Sequence, residues 1–74
     1  MKISITYCVP WDYSKQATSL AAKIQNELGY KTDIIKGDNG IFDIIADGNL
    51  IFSKHQERRF PNEDEIIQKL RALN

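Results

Sequence analysis

The chain is expected to fold as one α/β (α+β sandwich) domain: a four-stranded mixed sheet with both helices on one face, from elements in the order β-α-β-β-β-α. Three observations predict it. The N-terminal segment alternates with period two, and the next segment switches to a helical period. An Asp-Gly pair, Asp47-Gly48, separates two short apolar runs, as in a two-residue hairpin. The C-terminal segment returns to a helical period behind a capping sequence.

Lys2 to Tyr7 sets Ile3, Ile5 and Tyr7 on one face and Ser4 and Thr6 on the other, which predicts a strand. Cys8 to Asp12 is the turn. From Tyr13 to Leu28, Ala17, Leu20, Ala21, Ile24 and Leu28 make a single apolar stripe at helical spacing. Gly29 is placed to end that helix in the left-handed conformation. Its start is open: Pro10 fits a first turn with Cys8 as N-cap, or Asp12 caps a helix that begins later.

Lys31 to Lys36 is a second strand centred on Ile34 and Ile35. Strand, helix and strand in succession imply a parallel pair with a right-handed crossover. Gly37-Asp38-Asn39-Gly40 is a turn by composition. Ile41 to Ala46 and Asn49 to Ser53 are the hairpin strands. Both carry apolar residues on both faces, so pattern alone leaves their register unfixed. Lys54 to Arg59 is expected as a polar loop. Asn62 and Glu65 then form a capping-box-like start to a last helix whose buried stripe is Ile66, Ile67, Leu70 and Leu73. This order is the minimal thioredoxin-like arrangement. A ferredoxin-like split βαβ needs a final strand, which the chain lacks.

Composition narrows the function. Seventy-four residues allow one domain, 1–74, burying only about 60% of the surface its unfolded chain exposes. Ten basic and ten acidic side chains give a formal net charge of zero, against a nucleic-acid partner and against a polybasic membrane-surface role. No apolar run approaches a membrane span and no signal-peptide pattern opens the chain, so a reducing cytoplasm is the expected location. A single cysteine excludes an internal disulfide framework, and one cysteine with one histidine makes no metal site.

The chemistry concentrates in Tyr7-Cys8-Val9-Pro10-Trp11-Asp12-Tyr13. A thiol between a strand and a helix is a candidate redox nucleophile, and as N-cap it would have its thiolate favoured by helix N–H groups, with Asp12 opposing. Cys8 is therefore expected to be partly exposed and more acidic than a free thiol. The plain alternative is a buried cysteine serving as a small hydrophobe. Trp11 reads either as packing that shields the thiol or as a contact for a partner, with Val9, Pro10 and Asp12 completing that surface. His55, Arg58 and Arg59 read as a solvated loop. Whether they or Lys54 approach the turn is not encoded locally.

The segments Ile5 to Tyr13, Gly37 to Ile44, Asp47 to Lys54 and Arg59-Phe60-Pro61, in this order, make the chain resemble the selenoprotein W-like (Rdx) group of small thioredoxin-like proteins. The resemblance covers nearly the whole chain. It implies a thioredoxin-like fold and a thiol- or selenol-based redox role, with no bound cofactor and with glutathione or protein thiols as partners. Cys8 matches the first cysteine of the family's Cys-x-x-Cys or Cys-x-x-selenocysteine motif, and Trp11 stands where the second belongs. Trp is one base change from selenocysteine's UGA codon. Indole cannot resolve a mixed disulfide, so the resemblance implies at most a one-cysteine mechanism, antioxidant or thiol oxidoreductase in kind. The rival expectation is a protein-binding module that uses the same turn without turnover.

Overall fold

The computed structural model describes residues 1–73. It contains β1 (Ile3–Cys8), α1 (Ser14–Leu28), β2 (Thr32–Gly37), β3 (Phe42–Ala46), β4 (Asn49–Ser53), α2 (Lys54–Glu57) and α3 (Glu63–Leu73). The strands form one sheet in the order β2-β1-β3-β4, so the first strand is central. β1 runs parallel to β2, with Ile5 beside Ile34, and antiparallel to β3, with Ile5 beside Ile44. The predicted mixed four-stranded sheet is thus present.

Each turn follows from its residues. Gly29 ends α1 at φ 74°, and its N–H donates to the Gln25 carbonyl at 3.0 Å. Asp47 and Gly48 both take positive φ, 50° and 81°, as a type I′ hairpin turn requires. Asp47 also ties the hairpin to the N-terminus, because the Lys2 N–H donates to Asp47 Oδ1 at 2.8 Å. At α3 the capping box forms: the Asp64 N–H donates to Asn62 Oδ1 at 2.9 Å and the Asn62 N–H to Glu65 Oε1 at 3.0 Å.

One face of the sheet carries the core. Ile3 and Ile5 from β1, Phe42, Ile44 and Ala46 from β3, and Phe52 from β4 pack with Ala17, Leu20 and Ile24 of α1 and with Ile66, Ile67 and Leu70 of α3. The helical stripes therefore bury as their spacing dictates. The α3 stripe stops at Leu70, and Leu73 is exposed. Two ion pairs join the helices, Lys23 reaching Asp64 at 3.3 Å and Arg71 reaching Glu27 at 3.9 Å. Among the described residues no helix covers the other face, where Ile35 and Leu50 are exposed.

One feature settles what the sequence left open and another differs from expectation. The hairpin strands pair Ile44 with Phe52 but Ile45 with Leu50, so Ile51 is the extra residue of a β-bulge. The bulge frees the Ile51 carbonyl, which accepts from Lys69 Nζ at 3.3 Å. The segment expected as a polar loop begins with one helical turn, α2. Arg58, at φ 59°, ends that turn by donating its N–H to the Lys54 carbonyl. Lys-His-Gln-Glu has no glycine or proline to prevent the turn, and it is held through Lys54, whose Nζ lies 5.4 Å from the ring centroids of both Tyr13 and Phe60.

Candidate functional site

Neither expected helix start is observed. Cys8 is the last residue of β1, and α1 begins at Ser14 with Tyr13 as its N-cap residue. Between them the chain makes a closed turn. The Tyr13 N–H donates to the Cys8 carbonyl at 3.1 Å and the Asp12 N–H to the Val9 carbonyl at 3.0 Å, with Asp12 at φ 57°. These nested bonds around a left-handed residue are the arrangement of a Schellman motif. Pro10 suits it, since its fixed φ favours the turn and its missing N–H is not required. Asp12 is thus a hinge of the turn and not a cap, and its Oδ1 accepts from Ser14 Oγ at 3.0 Å.

The turn is zipped to the loop that joins β2 to β3. The Val9 N–H donates to the Gly37 carbonyl at 3.0 Å and the Cys8 N–H to the Ile41 carbonyl at 2.8 Å. That loop folds tightly on itself, with Asn39 at φ 55° and Gly40 at φ 73°, and the Ile41 N–H donating to the Asp38 carbonyl. The Trp11 indole lies directly on Gly40. A Cβ at Gly40 would stand 2.5 Å from Trp11 Cζ3, 2.9 Å from Cε3 and 3.1 Å from Cη2. Only a glycine lets the ring sit there.

The expected partial exposure of Cys8 is not found: its relative exposure is 0%. It lies outside the contiguous core that the helices build. With α1 beginning at Ser14, Cys8 is not the N-cap residue. The other candidate residues do lie on the surface. Val9 is 45% and Trp11 60% exposed, and Pro10 and Asp12 are exposed too. The structure therefore gathers Val9, Pro10, Trp11 and Asp12 on one exposed knuckle and buries the thiol.

Sequence reasoning missed the aromatic ladder that anchors this knuckle. Trp11 meets Tyr13 edge-on at a centroid separation of 6.2 Å, Tyr13 meets Phe60 at 4.6 Å, and Phe60 meets the buried Phe42 at 5.3 Å. The signal was the Phe60-Pro61 pair, whose partners lie far away in the chain. Of the cations that were candidates to approach, Lys54 reaches the Tyr13 end of the turn. Arg59 is taken by Glu65, its two guanidinium nitrogens lying 2.6 and 3.1 Å from the two carboxylate oxygens. That pairing, with the Asn62 N–H, holds the Glu65 carboxyl down to about 2. Among the described residues no group of three His, Cys, Asp or Glu side chains could hold a metal ion. Among the described residues no helix is long and apolar enough to cross a membrane. A cleft of about 270 Å³ opens between the first turns of α1 and Phe60-Pro61, floored by Leu20 and Phe42 and rimmed by Lys15 and Glu63, away from Cys8.

Comparison with known proteins places the fold and the family. Migration and invasion enhancer 1 from Bos taurus is 29% identical over 75 residues, and the protein of that name from Mus musculus is 30% identical over 73. These alignments take in 100% and 97% of this chain but only 65% and 64% of the relatives, so the chain spans just under two thirds of their length. The crystal structure of a selenoprotein W-related protein from Vibrio cholerae superposes with a TM-score of 0.93 at 23% identity, covering 97% of this chain and 94% of that one. A Bordetella parapertussis protein superposes with a TM-score of 0.94 at 21% identity, covering 99% and 96%. Both likenesses establish the thioredoxin-like fold. The Rdx family model matches residues 2–72, so the chain belongs to the Rdx family, a membership that suggests a thioredoxin-like, redox-related role.

Proposed function

We propose that the protein is a thiol-based redox protein that works through Cys8 alone. The observation that carries this reading is the position of Cys8, at the C-terminal end of the central strand where the chain leaves for α1. That end of a parallel strand is where open α/β sheets place their sites. The Cys8 thiolate attacks one sulfur of a disulfide, a new S–S bond forms, and the other sulfur leaves as a thiolate. With a peroxide the O–O bond breaks instead, giving a sulfenic acid while the departing oxygen takes a proton; a first external thiol then displaces water and leaves a mixed disulfide. In both cases an external thiol, glutathione being the candidate, attacks the mixed disulfide and releases Cys8. Because Trp11 offers no second thiol, that external step is obligatory.

The test is incubation of the folded protein with glutathione disulfide, read by intact mass and by mapping of the adduct. A single glutathione on Cys8, absent from Cys8→Ser and discharged by reduced glutathione, is expected. If the folded protein stays unmodified while the same chain in denaturant is modified, the redox reading fails.

A second reading has its own observation. Val9 and Trp11 are exposed while the thiol is buried, which suits a docking knuckle with no turnover. A protein partner recognised this way would bind Cys8→Ser as tightly as the parent and lose affinity for Trp11→Ala.

A further inference from the structure

We propose that the cleft between α1 and Phe60-Pro61 binds an α-amino acid with a large apolar side chain. The cleft measures about 270 Å³, just under the range of about 300–1,000 Å³ typical of drug-sized ligands, so its occupant is small. Its floor is apolar, formed by Leu20 and Phe42, and it is walled by Phe60 and Pro61. Two opposite charges stand at its rim, Lys15 and Glu63. An apolar hollow with one cation and one anion at its mouth matches a molecule that joins an apolar body to a carboxylate and an ammonium group.

The charges along α1 show why this rim suits a ligand. Lys15, Ser19, Lys23 and Glu27 follow one another at i, i+4 spacing on one face of the helix. The last three engage α3. The Ser19 hydroxyl donates to Glu63 Oε2 at 2.6 Å, Lys23 reaches Asp64 at 3.3 Å, and Glu27 lies 3.9 Å from Arg71. Lys15, first in the row, makes no ion pair among the described residues. α3 starts at Glu63, against Ser19, and beside Lys15 there is the cleft instead. Glu63 makes no ion pair either, and its Oε1 accepts no hydrogen bond among the described residues. Neighbours at this spacing stand about 5–6 Å apart at Cβ, so the carboxylate that Ser19 holds lies one helical turn from Lys15. The carboxylate and ammonium of an α-amino acid sit on one carbon and bridge such a pair. The first faces Lys15 and the second Glu63 Oε1, with the side chain directed to Leu20 and Phe42. A residue inside a peptide has neither charge and makes neither contact. None of these groups belongs to the Cys8–Asp12 turn, so binding is independent of redox chemistry at Cys8.

Titration of the isotope-labelled full chain with L-leucine, L-phenylalanine and L-tryptophan, followed by backbone amide chemical shifts, reads the binding. At least one is expected to move the amides of Lys15, Ser19, Phe60 and Glu63 with a Kd of about 1 mM or tighter, the range open to a ligand of about a dozen heavy atoms. The tightest of the three is then compared with its N-acetyl derivative, its amide, and the derivative blocked at both ends. Each block should weaken binding by about three- to tenfold. Lys15→Met should weaken the amino acid by the same factor and leave its amide unchanged. Glu63→Gln, which still accepts from Ser19, should weaken the amino acid and leave the N-acetyl derivative unchanged. Circular dichroism confirms the fold of both, and Lys36→Met on the exposed edge strand β2 should change nothing. No shift at these amides with any of the three amino acids at about 20 mM overturns the proposal. Equal binding by the doubly blocked derivative also overturns it, and would make the cleft a pocket for a side chain of a protein partner. So does a variant that weakens every derivative alike, since its charge would then act on the shape of the cleft and not on the ligand.

Discussion

Gly29 and Gly40 make a matched pair for measuring what the Trp11 contact contributes. Their φ angles are nearly the same, 74° and 73°. A Cβ at Gly29 meets nothing within 4 Å, whereas one at Gly40 meets the indole at 2.5 Å. Gly29→Ala therefore carries only the cost of a left-handed alanine, about 1–2 kcal/mol. Gly40→Ala carries the same cost and also displaces the ring. Trp11 is 60% exposed, so two fifths of its surface is covered. That is on the order of 100 Å² for a tryptophan, worth at most about 2.5 kcal/mol at 25 cal/mol per Å². Gly40→Ala should thus cost about 1–2.5 kcal/mol more than Gly29→Ala, out of a total stability of about 4–11 kcal/mol for a chain this size. Urea unfolding followed by circular dichroism measures both, and the Gly40→Ala, Trp11→Ala double mutant closes the cycle. With the indole gone, Gly40→Ala should cost no more than Gly29→Ala, leaving a coupling of about 1–2 kcal/mol. A coupling below about 0.5 kcal/mol would refute the reasoning, because independent sites add to within that margin.

Further predictions concern the frame that holds the turn. Glu65, held near 2 by Arg59 and the Asn62 N–H, is depressed below its unfolded value, so its contribution is present above about 4.5 and is lost as pH falls toward 2. Glu65→Gln should flatten that part of an acid-unfolding profile while lowering neutral-pH stability by only about 0.5–1 kcal/mol, since the pair is partly exposed. Asn62→Ala removes the cap on α3 and should cost about 1 kcal/mol in a urea titration. Ile5→Ala, at a fully buried position of the central strand, should cost about 2–5 kcal/mol by the same measurement, whereas Leu50→Ala on the uncovered face should cost well under half of that.

The outcome at the candidate site follows the same division between local and distant causes. The sequence put Cys8 between a strand and a helix, because the change from period two to period 3.6 is written in consecutive side chains, although the expected strand ends at Tyr7 and the observed one a residue later, at Cys8 itself. It placed the helix start wrongly. Pro10 and Asp12 fit a first helical turn and also the closed turn that forms, and two hydrogen bonds from Val9 and Cys8 to the β2–β3 loop select the latter. The exposure of Val9 and Trp11 and the burial of Cys8 were not legible for the same reason. A side chain's burial is set by what folds over it, and consecutive residues do not encode that.

By itself the sequence determined the elements, their order and their punctuation: the alternating β1, the stripes of α1 and α3, the left-handed stop at Gly29, the Asp47-Gly48 turn and the Asn62–Glu65 capping box. These are preferences of a backbone and its neighbours within a turn or so, and they hold before the chain is compact. Only the tertiary structure decided the bulge at Ile51, the helical turn of α2, the burial of Cys8 and the seating of the Trp11 indole on Gly40. Each of those depends on two distant segments competing for the same space, and packing in three dimensions settles that competition.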